Sequence, residues 1–137
     1  MRLTGILLLA ACTAGAFVPR ANPALHGTYR LEQVNAQPLP YTVEDYAVTL
    51  HRGELSLREN GRYRMVFVAQ PEGGAAEQVK MTGVWAAPGD SLVLTLDPGT
   101  PFEETAFRWE LQGSLLRLVD PVEDEFSWVR VQAGESP

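Results

Sequence analysis

Ser91 lies in the run Gly89-Asp90-Ser91-Leu92, where a serine hydroxyl beside a carboxylate raises the question of nucleophilic catalysis. A serine nucleophile needs a histidine base within hydrogen-bond reach. Both histidines lie upstream, His26 at the border of a predicted linker and His51 at the end of a predicted strand, so we expect both to be solvated. The run also falls between two predicted strands, whereas a nucleophile elbow joins a strand to a helix. We therefore predict a turn here.

Acidic residues are the other chemically capable groups, and many fall in the longer predicted loops: Glu72, Glu77, Asp97, Glu103, Glu104, Asp120, Glu123, Asp124 and Glu125. Their spacing matches no calcium-binding loop. Adjacent carboxylates such as Glu103 and Glu104 point to opposite sides of an extended chain, which is poor geometry for acid–base catalysis. We expect no catalytic residues, no metal site and no cofactor, and hence that the protein is not an enzyme.

Cys12 is the single cysteine of the chain, and it ends the run Leu9-Ala10-Ala11-Cys12. This run resembles the lipobox of bacterial lipoproteins, in which the cysteine is lipidated and becomes the new N-terminus. The resemblance implies that residues 1–11 are a signal peptide and that Cys12 anchors the protein to a membrane. Ala14-Gly15-Ala16 offers an alternative signal-peptidase site, and cleavage after residue 16 would release a soluble secreted or periplasmic domain.

Composition agrees with an exported single domain of the cell envelope. An apolar stretch of about ten residues follows Arg2, which is too short for a membrane span and typical of a signal peptide. The net charge of the 137 residues is −6, and no cluster of Lys and Arg exists that could hold a nucleic acid. We expect a monomer with residues 12–26 as a linker, a domain over 27–132, and a tail over 133–137.

Beyond the linker the chain alternates short β-type segments with turn residues, without a helical period. Asn60-Gly61 predicts a type I′ hairpin, and Pro88–Asp90 and Gly113-Ser114 are further tight turns. We predict an all-β, antiparallel up-and-down barrel of eight to nine strands, with a two-sheet sandwich as the alternative. The predicted strands are Thr28–Val34, Tyr46–His51, Glu54–Arg58, Arg62–Ala69, Val79–Ala86, Leu92–Leu96, Thr105–Gln112, Leu115–Asp120 and Phe126–Val131.

Strand alternation assigns large apolar side chains to the interior, including Tyr46 and Val79. In the last strand Arg130 shares the face of Phe126 and Trp128, so we expect it to be half-buried over an aromatic ring. In a meander, alternate connections lie at the same end. Nine strands would place Gln70–Gln78, Asp97–Glu104 and Pro121–Glu125 at one loop-rich end, together with a turn at His51–Gly53, and the Asn35–Asp45 connection at the other.

Five segments resemble the bacterial lipocalin-like domain proteins, which are small exported barrels: Gly27-Thr28-Tyr29, Val34 to Pro40, Gly53 to Leu57, Asn60 to Tyr63, and Gly83 to Leu94. The resemblance covers about residues 27–131. It implies that Gly27, Tyr29 and Arg130 occupy the positions that close one barrel end in lipocalins, with Tyr29 where lipocalins have tryptophan. It also implies a binding cavity.

Two functions follow from this interpretation. The first is a lipid-anchored, lipocalin-like barrel that binds a small hydrophobic ligand at its loop-rich end, with Tyr29, Met65, Phe67, Trp85, Trp109 and Trp128 as candidate ligand-binding residues. The second is a filled barrel that serves as a structural or protein-interaction module of the cell envelope, in which the same aromatic residues form a packed core.

Overall fold

A computed structural model describes residues 22–97 and 104–132 of the chain. Within these ranges the regular elements are β-strands and two short 3-10 helices, Pro23–Leu25 and Glu44–Tyr46. The strands are β1 (Gly27–Val34), β2 (Gln37–Pro38), β3 (Tyr41–Val43), β4 (Val48–Leu57), β5 (Arg62–Pro71), β6 (Glu77–Ala86), β7 (Ser91–Leu96), β8 (Glu104–Gln112), β9 (Leu115–Val119) and β10 (Glu125–Arg130). In the described part of the chain, no helix is long and apolar enough to cross a membrane.

The strands form one closed antiparallel barrel. β4 to β10 pair in chain order, β10 pairs with β1, and the barrel closes where Gly27–Arg30 of β1 pairs with Glu54–Leu57 of β4. These eight strands confirm the predicted up-and-down barrel, and the closure excludes a two-sheet sandwich. The short strands β2 and β3 pair with the free halves of β1 and β4.

The two ends of the barrel differ in their connections. At one end, which we call the closed end, tight turns over residues 58–61, 87–90 and 113–114 join the strands. At the other, which we call the open end, lie the connections over 35–47, 72–76 and 120–124. The end of β7 and the start of β8 lie there too, and residues 98–103 between them are outside the described ranges. β1 pairs with β4 only near the closed end, so these two strands part toward the open end.

The predicted turn at His51–Gly53 is wrong, because β4 runs through it as one strand. Leu50 pairs with Ala69 and Arg52 with Val68, which leaves His51 as the extra residue of a β-bulge. Gly53 serves close packing and not a turn: a Cβ there would lie 2.9 Å from Leu31 Cβ and 3.1 Å from Phe67 Cε1.

Because β4 is one strand where two were predicted, the connection over residues 35–47 lies at the other end of the barrel from the one predicted. Residues 35–47 lie at the open end and not, as predicted, with the tight turns. The backbone N–H of Glu72 donates to the Ala47 carbonyl over 2.8 Å, and that of Asn35 donates to the Glu125 carbonyl over 2.7 Å. The Asn35 side chain also contacts Tyr41 and Asp124. The connections over 35–47, 72–76 and 120–124 therefore meet at the open end.

The turn at Asn60-Gly61 is not the predicted type I′ turn. Of these two residues only Gly61 has a positive φ, of 85°. Its N–H donates to the Arg58 carbonyl, the pattern of a three-residue hairpin loop with glycine at the left-handed position. The successive positive φ angles expected of a type I′ turn occur at Asn35 and Ala36, between β1 and β2. Asn tolerates this conformation well, because its side chain satisfies neighbouring polar groups.

Inward residues near the closed end form a continuous buried core, as alternation predicts. Its members include Leu25, Tyr29, Leu55, Leu57, Trp85, Leu92, Leu116, Leu118 and Trp128. Two residues assigned to the interior are instead exposed. Tyr46 belongs to a 3-10 helix and not to a strand, and Val79 lies near the tip of the β5–β6 hairpin, beyond the packed part of the barrel.

Residues 22–26, the end of the expected linker, lie against the closed end. Leu25 is fully buried, and its carbonyl accepts a hydrogen bond of 2.9 Å from the Tyr29 hydroxyl. Arg130 donates to the Ala24 carbonyl and to the Tyr29 hydroxyl over 2.6 and 2.7 Å, and its guanidinium carbon lies 5.3 Å from the centroid of the Tyr29 ring. Gly27, at φ 148°, passes beside Arg130, where a Cβ would lie 3.2 Å from Nε. The folded unit therefore begins before β1.

We expect Leu25→Ala to lower the free energy of unfolding by about 2–5 kcal/mol, because it opens a cavity under the closed end. Chemical denaturation measures the change. Val122→Ala, at a side chain that is 76% exposed, is the control and should change stability by about 0.5 kcal/mol or less. A Leu25→Ala effect as small as that of the control would show that this segment contributes nothing to the barrel.

Candidate ligand-binding site

A cavity of about 650 Å³ occupies the barrel toward the open end. Its wall is made of inward side chains from β5 to β10, mainly Met65, Phe67, Met81, Leu94, Leu96 and Phe107. Most of the wall is therefore hydrocarbon or aromatic. The volume falls in the range of small-molecule binding sites in proteins.

The cavity exists because packing changes along the barrel axis. The inward residues Met65 and Leu94 are 7% and 5% exposed, whereas Phe67 and Leu96, two positions closer to the open end, are only partly buried. β1 and β4 part at this end, and only the short strands β2 and β3 pair with their free halves. Apolar side chains consequently surround space that they do not fill.

Tyr46 and Val122 form part of the rim of the cavity and are 78% and 76% exposed. Asp120 also lines the rim. One oxygen of its carboxylate accepts hydrogen bonds from the backbone N–H groups of Val122 and Asp124. The rim thus combines exposed apolar surface with a fixed negative charge.

Trp128 lies at the inner limit of the cavity. It is one inward position deeper than Phe126 on β10, is 1% exposed, and packs against Phe67 with ring centroids 6.1 Å apart. Its indole N–H is buried and finds no acceptor in the described part of the chain.

The six candidate residues divide into two groups. Met65, Phe67 and Trp128 line the cavity, whereas Tyr29, Trp85 and Trp109 do not. Tyr29 belongs to the closed end, as described above. Trp85 donates its indole N–H to the Arg58 carbonyl over 2.9 Å, and Trp109 packs against the core.

Sequence reasoning did not single out several residues of the wall, although strand alternation had already turned them inward: Tyr63, Met81, Leu94, Leu96, Phe107 and Phe126. Alternation identifies the face of a strand but not the depth at which a residue lies along the barrel. The distance of each inward residue from the open end would have identified the cavity wall. That distance can be worked out only when the strand topology is known.

An ion pair fixes the end of β7 next to this site. The Arg62 guanidinium donates to both oxygens of Asp97 over 2.8 and 2.9 Å, and the Thr82 hydroxyl donates to the same carboxylate. The hydrogen bonds from Thr82 and Arg62 lower the pKa of Asp97. Burial, followed by the nearby Asp97 charge, raises the pKa of the cavity residue Tyr63 above 10.0.

The residues considered above for catalysis or metal binding take part in turns and side-chain contacts. Ser91 begins β7 directly after a tight turn, where its N–H donates to the Pro88 carbonyl. His26 is not solvated as expected: its ring packs edge-on against Trp85, with centroids 5.7 Å apart. His51 contacts Gln70 through Nε2.

Among the described residues, no group of three or more His, Cys, Asp or Glu could hold a metal ion. Cys12 and Glu103 lie outside the described residues.

A second, more open groove of about 1070 Å³ runs along the outside of the barrel near the closed end. His26, Asn60, Val84 and Trp85 contribute to it. It is a surface depression between the residue 22–26 segment and the outer face of β6 and β7, so we regard the interior cavity as the better binding site.

Comparison with family models, curated proteins and solved structures found no match for this chain. The resemblance to lipocalin-like domain proteins is therefore still a prediction, and the site has to be interpreted from its own geometry.

Stability should fall above about pH 10, because the unfolded chain then ionises tyrosines that the folded barrel keeps neutral. Burial raises the pKa of both Tyr29 and Tyr63, so each favours folding below its unfolded pKa and loses that contribution as pH rises through its folded pKa. Tyr63→Phe should make the loss less steep in denaturation curves recorded across this range. Tyr46→Phe, at an exposed ring, should follow the wild type. If the curves for Tyr63→Phe and the wild type run parallel, ionisation of Tyr63 does not contribute to the loss of stability.

Proposed function

We propose that the protein binds a small, predominantly apolar molecule in the cavity at the open end. The observation that carries this proposal is the cavity itself, which has an apolar wall and exposed apolar residues at its rim. Each methylene group moved from water into such a site contributes up to about 0.8 kcal/mol. A packed interior, as the structural alternative requires, would leave no such volume.

Several features favour a binding role over a purely structural one. The closed end holds the barrel together with a dense core and the Tyr29–Arg130 contact, so the open end can remain partly empty at little cost. The connections over 35–47 and 120–124 border the cavity through Tyr46 and Val122, and loops on a rigid barrel are common places for recognition.

Filling the cavity should abolish binding. Thr105 contributes a small side chain to the cavity wall, and Thr105→Trp would occupy part of the volume. We expect at least about a tenfold loss of affinity for a straight-chain alcohol, corresponding to about 1.4 kcal/mol. Displacement of a fluorescent apolar probe measures it. In the wild type, affinity should rise along a series of longer alcohols until the cavity is full.

The control is Thr95→Trp, on the neighbouring strand β7. Thr95 lies between Leu94 and Leu96, which both face the cavity, so its own side chain lies on the outer face. This variant should bind like the wild type. Equal affinity for Thr105→Trp and Thr95→Trp, or no binding of any apolar probe by the wild type, would refute the proposal and favour the structural role.

We further propose that Cys12 is lipidated and that the barrel is held at a membrane of the cell envelope. The Leu9-Ala10-Ala11-Cys12 run after a short apolar stretch supports this proposal. Two or more acyl chains would provide a stable anchor, whereas one gives only marginal binding.

Mass spectrometry of the protein purified from its host tests the anchor. We expect an N-terminus at Cys12 that carries the additional mass of acyl chains. Cys12→Ala should abolish the acylated species and leave the barrel domain unchanged. An unmodified protein that begins at Phe17 would instead support cleavage after residue 16 and a soluble domain.

A further inference from the structure

The polar side chains that line the cavity restrict the charge of a ligand. Among the described lining residues these are the hydroxyl-bearing Tyr46, Tyr63 and Thr105, the carboxylate of Asp120, and Trp128, whose indole nitrogen has essentially no accessible surface. A hydroxyl both donates and accepts hydrogen bonds, so it favours neither sign of charge. Asp120 is the one charged group among the described lining residues, and it is negative.

The deep part of the cavity is unfavourable for a negative charge. Tyr63 lies there, as the second residue of β5 from the closed end. Burial, and next the nearby Asp97 charge, raises the pKa of its hydroxyl, and Arg62 offsets this only in part. The same two causes would act on a carboxylate beside Tyr63, which would find hydroxyl donors but no positive partner among the described lining residues. An ammonium group would also lose its hydration there, so a charged group belongs at the rim.

Asp120 holds a negative charge at that rim in a fixed position. Its Oδ1 accepts hydrogen bonds of 3.1 and 2.8 Å from the backbone N–H groups of Val122 and Asp124, and Oδ2 accepts none from the described residues. No Lys, Arg or His of the described chain forms an ion pair with Asp120. Arg108 and Arg117, on the two strands before it, pair with glutamates instead. The rim carboxylate therefore lacks a positive partner within the described part of the protein.

We propose that the ligand is a cationic amphiphile, an alkylammonium whose apolar chain fills the cavity and whose charged nitrogen lies at the rim beside the Asp120 carboxylate. This inference rests on the proposed function, since it names the ligand class of the same cavity. The apolar chain contacts the wall at Phe107 and Leu96, and the ammonium group keeps part of its hydration at the open end.

Three probes with the same apolar chain separate this inference from simple apolar binding: octylammonium, octanol and octanoate. Displacement of an uncharged fluorescent apolar probe from the full chain gives their affinities. We expect octylammonium to bind about threefold to fivefold more tightly than octanol, as for an ion pair partly open to solvent, and octanoate to bind most weakly. The preference for octylammonium over octanol should shrink as sodium chloride is added, because salt screens exposed charges.

Asp120→Asn removes the charge and keeps the Oδ1 acceptor for the two backbone N–H groups of the turn. It should bring the affinities of octylammonium and octanol to within about twofold of each other and strengthen octanoate binding. Asp90→Asn is the matched control, because it makes the same change in net charge at an exposed residue of the closed end. This variant should keep the order of affinities found for the wild type.

Val122→Lys tests the position of the charged group without altering the Asp120 side chain. Val122 is 76% exposed at the rim, and the substitution keeps the backbone N–H that Asp120 accepts. We expect the ratio of octylammonium to octanoate affinity to fall by about tenfold, because the added cation repels one probe and attracts the other.

Nuclear magnetic resonance of the wild type provides a test without any variant. The amide protons of Val122 and Asp124 donate to Asp120, so a cation at this carboxylate should shift both signals. We expect larger shifts with octylammonium than with octanol.

The possible failures are distinguishable. Equal affinities for the three probes, or tightest binding of octanoate, would overturn the inference while apolar binding stands. Octylammonium that still binds Thr105→Trp as it binds the wild type would also overturn it, because the cation would then adhere to the acidic surface and not enter the cavity. If the wild type binds none of the three probes, the proposed function is wrong as well.

Discussion

The contact between β1 and β10 at the closed end is the constraint on which the rest of this barrel depends. Tyr29 and Arg130 lie opposite each other in the strand register, and the Tyr29 hydroxyl both accepts from Arg130 and donates to the Leu25 carbonyl. Burying a hydroxyl and part of a guanidinium is costly unless each finds partners. Here the Tyr29 hydroxyl and the terminal Nη2 of Arg130 pair with each other and with the carbonyls of Leu25 and Ala24, while Arg130 Nε has no acceptor among the described residues. These contacts tie the residue 22–26 segment to the strands, so the closed end can be fully packed.

Because the closed end is densely packed, the open end of the barrel can be packed less densely. Eight-stranded barrels have little internal room when their inward side chains are large. In this barrel β1 and β4 pair only near the closed end, and the β-bulge at His51 lets β4 continue past the point where the two strands part. The absence of a side chain at Gly53 lets Leu31 and Phe67 approach the backbone there. Packing density therefore falls from the closed end to the open end, which leaves an apolar cavity next to the connections at the open end.

Much of the fold could be predicted from local sequence, because alternation and turn residues act over only a few positions. The strands from Arg62 onward, their antiparallel order and, except at Val79, their inward faces agree with prediction. The errors in strand bounds and connections lie between Asn35 and Gly53, where Gly53 permits close packing and does not form a turn. The turn type at Asn60 was also wrong, because Asn35 and not Asn60 adopts the left-handed conformation. A glycine signals that the backbone needs freedom or space, but the signal is the same for a turn and for a close approach.

The sequence by itself determined an acidic, all-β domain with an apolar interior, since composition and period-two alternation are properties of the chain before it folds. It also identified Met65, Phe67 and Trp128 as inward residues. Only the tertiary structure decided that these three line a cavity while Tyr29, Trp85 and Trp109 do not. That distinction depends on how far each strand position lies from the closed end, and this distance is set by pairings between residues far apart in the chain.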